Sequence, residues 1–244
     1  MNKFVSIGAP IHPKEFLAFG THQEFGPISR IRTPSSHLFL RNSNDFCKNR
    51  AITLYSKEPC TITFIDSLPK DVAFIDIGAN IGVYSMYALA EGVSRIISIE
   101  PSIFNSYELY QNRLLNDKNG RCFPINAAVA DGSRSVELLS LNGTKAGHSF
   151  NQVGSNDWSR HMQPVMTLPL ADLDRFCEGR PVHIKLDVDG IEGTIVEAIT
   201  KVVDVLNIRS LQVEFDQNRV ATRDACRPLF DLGFEISPEQ MAFR

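Results

Sequence analysis

The run Val72-Ala73-Phe74-Ile75-Asp76-Ile77-Gly78-Ala79-Asn80-Ile81-Gly82, followed by Arg95-Ile96-Ile97-Ser98-Ile99-Glu100-Pro101, leaves few folds open to this chain. An apolar stretch breaks at glycines, a helix-forming stretch follows, and a second apolar stretch ends in an acid. This reads as buried strand, tight turn, helix and second buried strand. Glycines in such a turn let backbone approach a ligand closely. An acid at the second strand's end offers paired acceptors to a diol. Both features fall beyond the carboxyl ends of strands, where open parallel sheets bind ligands. The pattern marks a nucleoside-type cofactor site.

The alternation continues toward the C-terminus. Helices are expected over Gly82 to Glu91, Phe104 to Leu115, Ile191 to Val205 and Arg219 to Leu232. Strands are expected over Cys122 to Ala130, Val136 to Leu141, Pro181 to Asp187, Leu211 to Phe215 and Phe234 to Ser237. A final strand, if one forms, comes from Gln240 to Arg244. Asn142 to Gln163 reads as a polar loop, long enough to be functional or mobile. The fold class is therefore α/β, a mainly parallel sheet with helices on both faces. Residues 1 to about 70 differ, being rich in Pro, Ser, Asn and Phe, with short strands expected at Leu38–Arg41, Ala51–Tyr55 and Cys60–Ile65. They read as an N-terminal β-containing cap or extension on a domain spanning 71–244.

Composition narrows the partners. A net charge of −3 gives no global pull toward nucleic acid, and no run of about 18 apolar residues spans a membrane. The first residues lack the apolar core of a secretory signal. Five scattered cysteines without metal-ligand spacing read as reduced thiols of a cytoplasmic protein. A small acceptor molecule and a second copy of the chain are the partners this leaves.

The turn's details choose the cofactor. A dinucleotide site needs G-x-G-x-x-G, and that spacing is absent. Asp76 precedes the first glycine by two residues and would repel a pyrophosphate. It suits a cationic ligand, and S-adenosylmethionine carries a sulfonium and an ammonium. Glu100 follows Gly82 by 18 residues, where the ribose of such a cofactor would lie.

The run Ile75 to Ser85 resembles the first motif of the FkbM family of S-adenosylmethionine-dependent methyltransferases, and Glu100-Pro101-Ser102 resembles its second. Ile184-Lys185-Leu186-Asp187-Val188-Asp189-Gly190-Ile191-Glu192 resembles the family's late signature, with Asp189 where a Glu is usual. Leu170-Ala171-Asp172-Leu173 and Gly147-His148-Ser149 resemble two further elements, the former with Ala171 displacing an acid. The resemblance covers roughly Val72 to Glu214. It implies the class I, Rossmann-like methyltransferase fold and methylation of oxygen on a saccharide or secondary metabolite. It also implies roles. Asp76, Gly78, Asn80 and Gly82 would line the cofactor and hold its methionine end, and Glu100 would bind the ribose. Pro101, Ser102, Asn126 and Ala127 would border the adenine, and Ser149 would close over the cofactor.

A hydroxyl acceptor must lose its proton as it attacks, and a carboxylate or histidine can take it. Asp187 and Asp189 are the favoured catalytic residues, with Lys185 beside them and His148 and His161 as other bases. Lys185 and Asp187 share one side of a buried strand. A purely structural ion pair between them is the competing reading, since a buried lysine needs a partner. No metal is assigned, because Asp187 and Asp189 have no third ligand that the spacing reveals. The rival functions are a nicotinamide-dependent oxidoreductase, disfavoured by Asp76 and the missing glycine spacing, and a non-catalytic relative that keeps the cofactor site.

Overall fold

The computed structural model describes residues 4–6, 17–130, 134–149, 151–154, 160–188, 191–214, 224, 226–237 and 242–243. At the N-terminus β1 (Phe4–Ser6), β2 (Leu17–His22), β3 (Gly26–Arg32) and β4 (His37–Arg41) pair antiparallel in chain order. The segments expected as strands at Ala51–Tyr55 and Cys60–Ile65 are helical instead: α1 (Asp45–Ile52), α2 (Leu54–Lys57) and α3 (Pro59–Asp66). Local chemistry explains the correction. Asn44 Oδ1 accepts a hydrogen bond from Cys47 N at 3.0 Å and caps α1, and Pro59 opens α3 where its missing N–H costs nothing. Thr61, Phe64 and Ile65 then fall three and four apart on one buried side, which outweighs their preference for strands. Leu38, Leu40, Ala51, Leu54 and Phe64 share one buried cluster with Phe74, Met86 and Tyr87. This segment therefore packs into the same core as one face of the central sheet.

Beyond it the chain alternates: β5 (Ala73–Ile77), α4 (Val83–Ala90), β6 (Arg95–Ile99), α5 (Ile103–Asn116), β7 (Cys122–Ile125), β8 (Ala128–Val129), β9 (Val136–Leu141), β10 (Gln152–Val153) and β11 (His161–Leu168). A short 3₁₀ turn at Leu170–Leu173 leads into α6 (Asp174–Cys177), β12 (Val182–Leu186), α7 (Glu192–Thr200) and β13 (Ile208–Val213). The chain closes with α8 (Arg227–Asp231), β14 (Ile236–Ser237) and β15 (Ala242–Phe243). The central sheet runs β14-β15-β13-β12-β5-β6-β7, and its five strands from β13 to β7 are parallel. β5 is buried on both faces. Phe74 enters the cluster shared with α3 and α4, while Ala73, Ile75 and Ile77 pack with Ile195 and Ile199 of α7 and Leu229 of α8. Strand order turns back between β5 and β12, the crevice where open sheets of this kind bind ligands.

Three further expectations change. The polar loop from Asn142 to Gln163 holds β10 and the start of β11, which pairs antiparallel with β9 along its length. Pro164 hid this strand from the pattern. It is tolerated because β8 meets β11 only at Thr167 and Leu168, leaving the proline with one neighbouring strand. The helix expected to Val205 ends at Thr200, and the following strand starts at Ile208 rather than Leu211. Of the helix expected over Arg219–Leu232, residues 219–223 and 225 lie outside the described part.

Candidate functional site

A cavity of about 230 Å³ opens at the carboxyl ends of β5, β6 and β12. Seven of the residues singled out from sequence line it: Gly78, Asn80, Glu100, Pro101, Ala127, Ser149 and Asp187. Backbone geometry demands glycine at position 78. Its φ is +81°, and a Cβ there would meet the Asp187 carbonyl oxygen at 1.7 Å. The turn is held by Gly78 N and Ala79 N, each donating to Ile99 O at 3.0 Å. Asn80 takes a left-handed φ of 52°, and its side-chain oxygen accepts from Ile81 N at 2.9 Å.

Glu100 is 4% exposed and its carboxylate is locked by the turn. Oε2 accepts from Asn80 N at 2.8 Å; Oε1 accepts from Ser102 N at 2.9 Å and from Asn105 Nδ2 at 3.4 Å. Burial raises its pKa to about 7 against the pull of these donors. A group poised between charged and neutral, with lone pairs to spare, suits a partner bringing two hydroxyls.

Among the described residues, the remaining sequence candidates do not line the cavity. Asp76 is fully buried: Oδ2 accepts from Ser85 Oγ at 2.6 Å, and Ser98 Oγ donates to Ser85 Oγ at 2.7 Å. Burial raises the Asp76 pKa, opposed by the Lys185 charge and the Ser85 bond. Strand register explains this placement. Gln212, Lys185, Asp76 and Ser98 stand side by side across β13, β12, β5 and β6, a polar row between the sheet and the helices above it. Gly82 faces Leu109, whose Cδ1 would lie 2.2 Å from an added Cβ, so its place is a packing one. Ser102 is buried beneath Glu100, and Asn126 Nδ2 donates outside the cavity to Glu100 O and Pro101 O at 2.9 and 3.0 Å. The His148 ring rests on Phe46, with centroids 4.1 Å apart, and His161 opens β11. Asp189 lies outside the described residues.

Lys185 and Asp187 form the expected ion pair, Nζ to Oδ2 at 3.0 Å. Lys185 is 2% exposed and its Nζ stands 5.2 Å from the centre of the Tyr84 ring. Burial disfavours its charge, but Asp187, Asp76 and Glu58 outweigh that and raise its pKa. Burial likewise works against the Asp187 charge, and Lys185 overcomes it and lowers the pKa. Asp187 faces the cavity while Lys185 supports it from behind.

The fold adds residues that sequence reasoning missed. Glu58, Asp187 and Glu214 place carboxylate oxygens within 4.8 Å of one another. Partial burial and the charges of Asp187 and Glu58 raise the Glu214 pKa to about 7. Two of the three acids have a cation of their own: Lys57 Nζ lies 2.6 Å from Glu58 Oε1, and Lys185 serves Asp187. Glu214 has no ion pair among the described residues. Two carboxylates beside Asp187, which the spacing did not reveal, thus come from the end of β13 and from the N-terminal helices. Positive charge from the two lysines already stands there. Glu214 directly follows β13 as Asp187 directly follows β12, so the rule that singled out Asp187 also reaches Glu214. Arg50 and Lys57, which line the cavity from the N-terminal segment, carry no such signal.

The mainly parallel sheet, the glycine turn after β5 and the acid after β6 define a class I, Rossmann-like methyltransferase fold. Residues 76–236 match the methyltransferase FkbM domain, more than half of the chain, and the protein belongs to that family, whose cofactor is S-adenosylmethionine. No curated protein matches it in sequence. Among solved structures it is similar to Aeropyrum pernix fibrillarin with natively bound S-adenosyl-L-methionine, at 10% identity over 98% of each chain and a TM-score of 0.44. It is also similar to precorrin-6y C5,15-methyltransferase from Geobacter metallireducens, at 14% identity over 73% of this chain and 71% of that one, with a TM-score of 0.43. Among the described residues no helix is long and apolar enough to cross a membrane.

Proposed function

We propose that this chain methylates a hydroxyl oxygen of a saccharide or secondary metabolite. The observation that carries this reading is the carboxylate group of Glu58, Asp187 and Glu214 at the end of the cavity lined by Gly78 and Glu100. A hydroxyl is a poor nucleophile until its proton leaves, and a carboxylate with a pKa near 7 is matched to taking that proton at neutral pH.

The residues present fit the family's cofactor. Glu100 offers acceptors to the ribose hydroxyls, and Ala127, Val129 and Leu139 supply an apolar wall for the adenine. Bare backbone at Gly78 lets the turn pack directly against the Asp187 backbone at the cavity wall. When bound, the cofactor supplies a methyl group already activated on a sulfonium. The chain's own residues then align the acceptor and exclude water, and alignment alone is worth several kcal/mol or more. Glu214 takes the acceptor's proton on its carboxylate. Asp187, held ionised by Lys185, orients the hydroxyl and keeps Glu214 basic.

Incubating the protein with S-adenosylmethionine and a panel of methyl glycosides, polyhydroxylated natural products, primary amines and carboxylic acids tests this directly by mass spectrometry. The expected product is a hydroxyl compound heavier by one methylene unit. Methylation confined to amines or carboxylic acids would contradict the reading.

A further inference from the structure

Arg50 reaches the cavity from α1, outside the segment that carries the family's motifs. Its guanidinium is held in place by the loop before β10: Nε donates to Gly147 O at 2.9 Å and Nη2 to Ser149 Oγ at 2.6 Å. That loop is itself anchored. Asn80 Nδ2 and Asn105 Nδ2 donate to His148 O at 2.8 and 3.0 Å, and Gly147 N donates to Asn105 Oδ1 at 2.7 Å. Helix α1 lies so close that a Cβ on Gly147 would meet Phe46 Cβ at 2.8 Å.

A guanidinium has five N–H donors. Two are spent on the loop, and among the described residues nothing accepts the others. Arg50 also forms no ion pair there, unlike the cavity's other cations. Lys57 is matched by Glu58, and Lys185 by Asp187. Arg50 lines the same cavity as Glu100 and Asp187. A half-buried cation with free donors and no counter-carboxylate is built for an anion.

S-adenosylmethionine carries one anionic group, the carboxylate of its amino-acid portion. We propose that Arg50 binds that carboxylate, so that the N-terminal segment completes the cofactor site. The proposal rests on the cofactor reading above. Pairing through two parallel N–H bonds is the geometry in which arginine surpasses lysine, and the loop contacts hold the fork ready before the ligand arrives.

The test compares two ligands by calorimetry: S-adenosylhomocysteine, which has the amino-acid portion, and 5′-methylthioadenosine, which lacks it. Arg50→Gln should weaken S-adenosylhomocysteine by roughly 10- to 100-fold, the scale of charge-assisted hydrogen bonds, and leave 5′-methylthioadenosine unchanged. Arg50→Lys, which keeps the charge and loses the fork, should fall between wild type and Arg50→Gln. Circular dichroism on each variant checks the fold. An equal loss for both ligands would mean that Arg50 only fastens the loop, and no loss for either would mean that it reads some other anion; each overturns the proposal. Wild-type protein that binds neither ligand would overturn the cofactor reading, and this proposal with it.

Discussion

Glu214→Gln is expected to lower turnover by about 10²–10⁴-fold at neutral pH, the range of a lost general base. Three carboxylates meet where Asp187 and Glu214 line the cavity, and Glu214 is the one without its own lysine among the described residues. Partial burial and its two negative neighbours set its pKa at about 7, while Lys185 holds Asp187 well into its ionised form. At saturating cofactor, turnover in the wild type should fall as pH drops through about 7, because Glu214 then carries a solvent proton. That limb should vanish in Glu214→Gln. Asp187→Asn removes a like charge, so the Glu214 pKa drops and the limb moves to lower pH. The contrary outcome is equally clear. If Asp187→Asn abolishes turnover and Glu214→Gln leaves the limb in place, Asp187 is the proton acceptor.

The second large effect concerns Glu100. Glu100→Ala should weaken S-adenosylhomocysteine by about 1.5–3 kcal/mol, the cost of losing hydrogen bonds to a charged group. It also strips two backbone N–H groups, those of Asn80 and Ser102, of their acceptor, so some loss of melting temperature accompanies it. The pH dependence separates the two effects. The folded pKa of Glu100 is raised from 4.5 to about 7. Its contribution to the stability of the ligand-free protein is therefore fully present below the unfolded value and is lost as pH rises through about 7. Ligand hydroxyls favour the ionised form, so affinity should rise over the same window and binding should release a proton. Calorimetry in buffers of different ionisation enthalpy reads that proton directly. Unchanged affinity in Glu100→Ala, with no proton released by the wild type, would remove this acid from the ribose site.

Wherever one strand is buried on both faces, the pattern was easy to read. β5, the glycine turn, α4 and β6 form a local unit whose apolar runs and turn residues agree, and the late strand β12 reads equally well. Position within the site was harder to see. Asp76 stands beside the turn in sequence, yet it lies within the strand rather than at its end, fully buried and in register with Lys185. The N-terminal helices were hidden by the β-branched residues of α3, whose burial depends on a core supplied by distant parts of the chain. Arg50, Lys57 and Glu58 reach the site only through that packing, so no spacing along the chain foretells them. Glu214 differs, since its place at a strand's carboxyl end was visible all along.

The central claim is that the cavity beyond β5 and β6 holds S-adenosylmethionine, and calorimetry on the full chain tests it most directly. Titrating S-adenosylhomocysteine and NAD into separate portions of one preparation should give saturable heat with the first and none with the second. Saturable binding of NAD, with no heat from S-adenosylhomocysteine, would contradict the account.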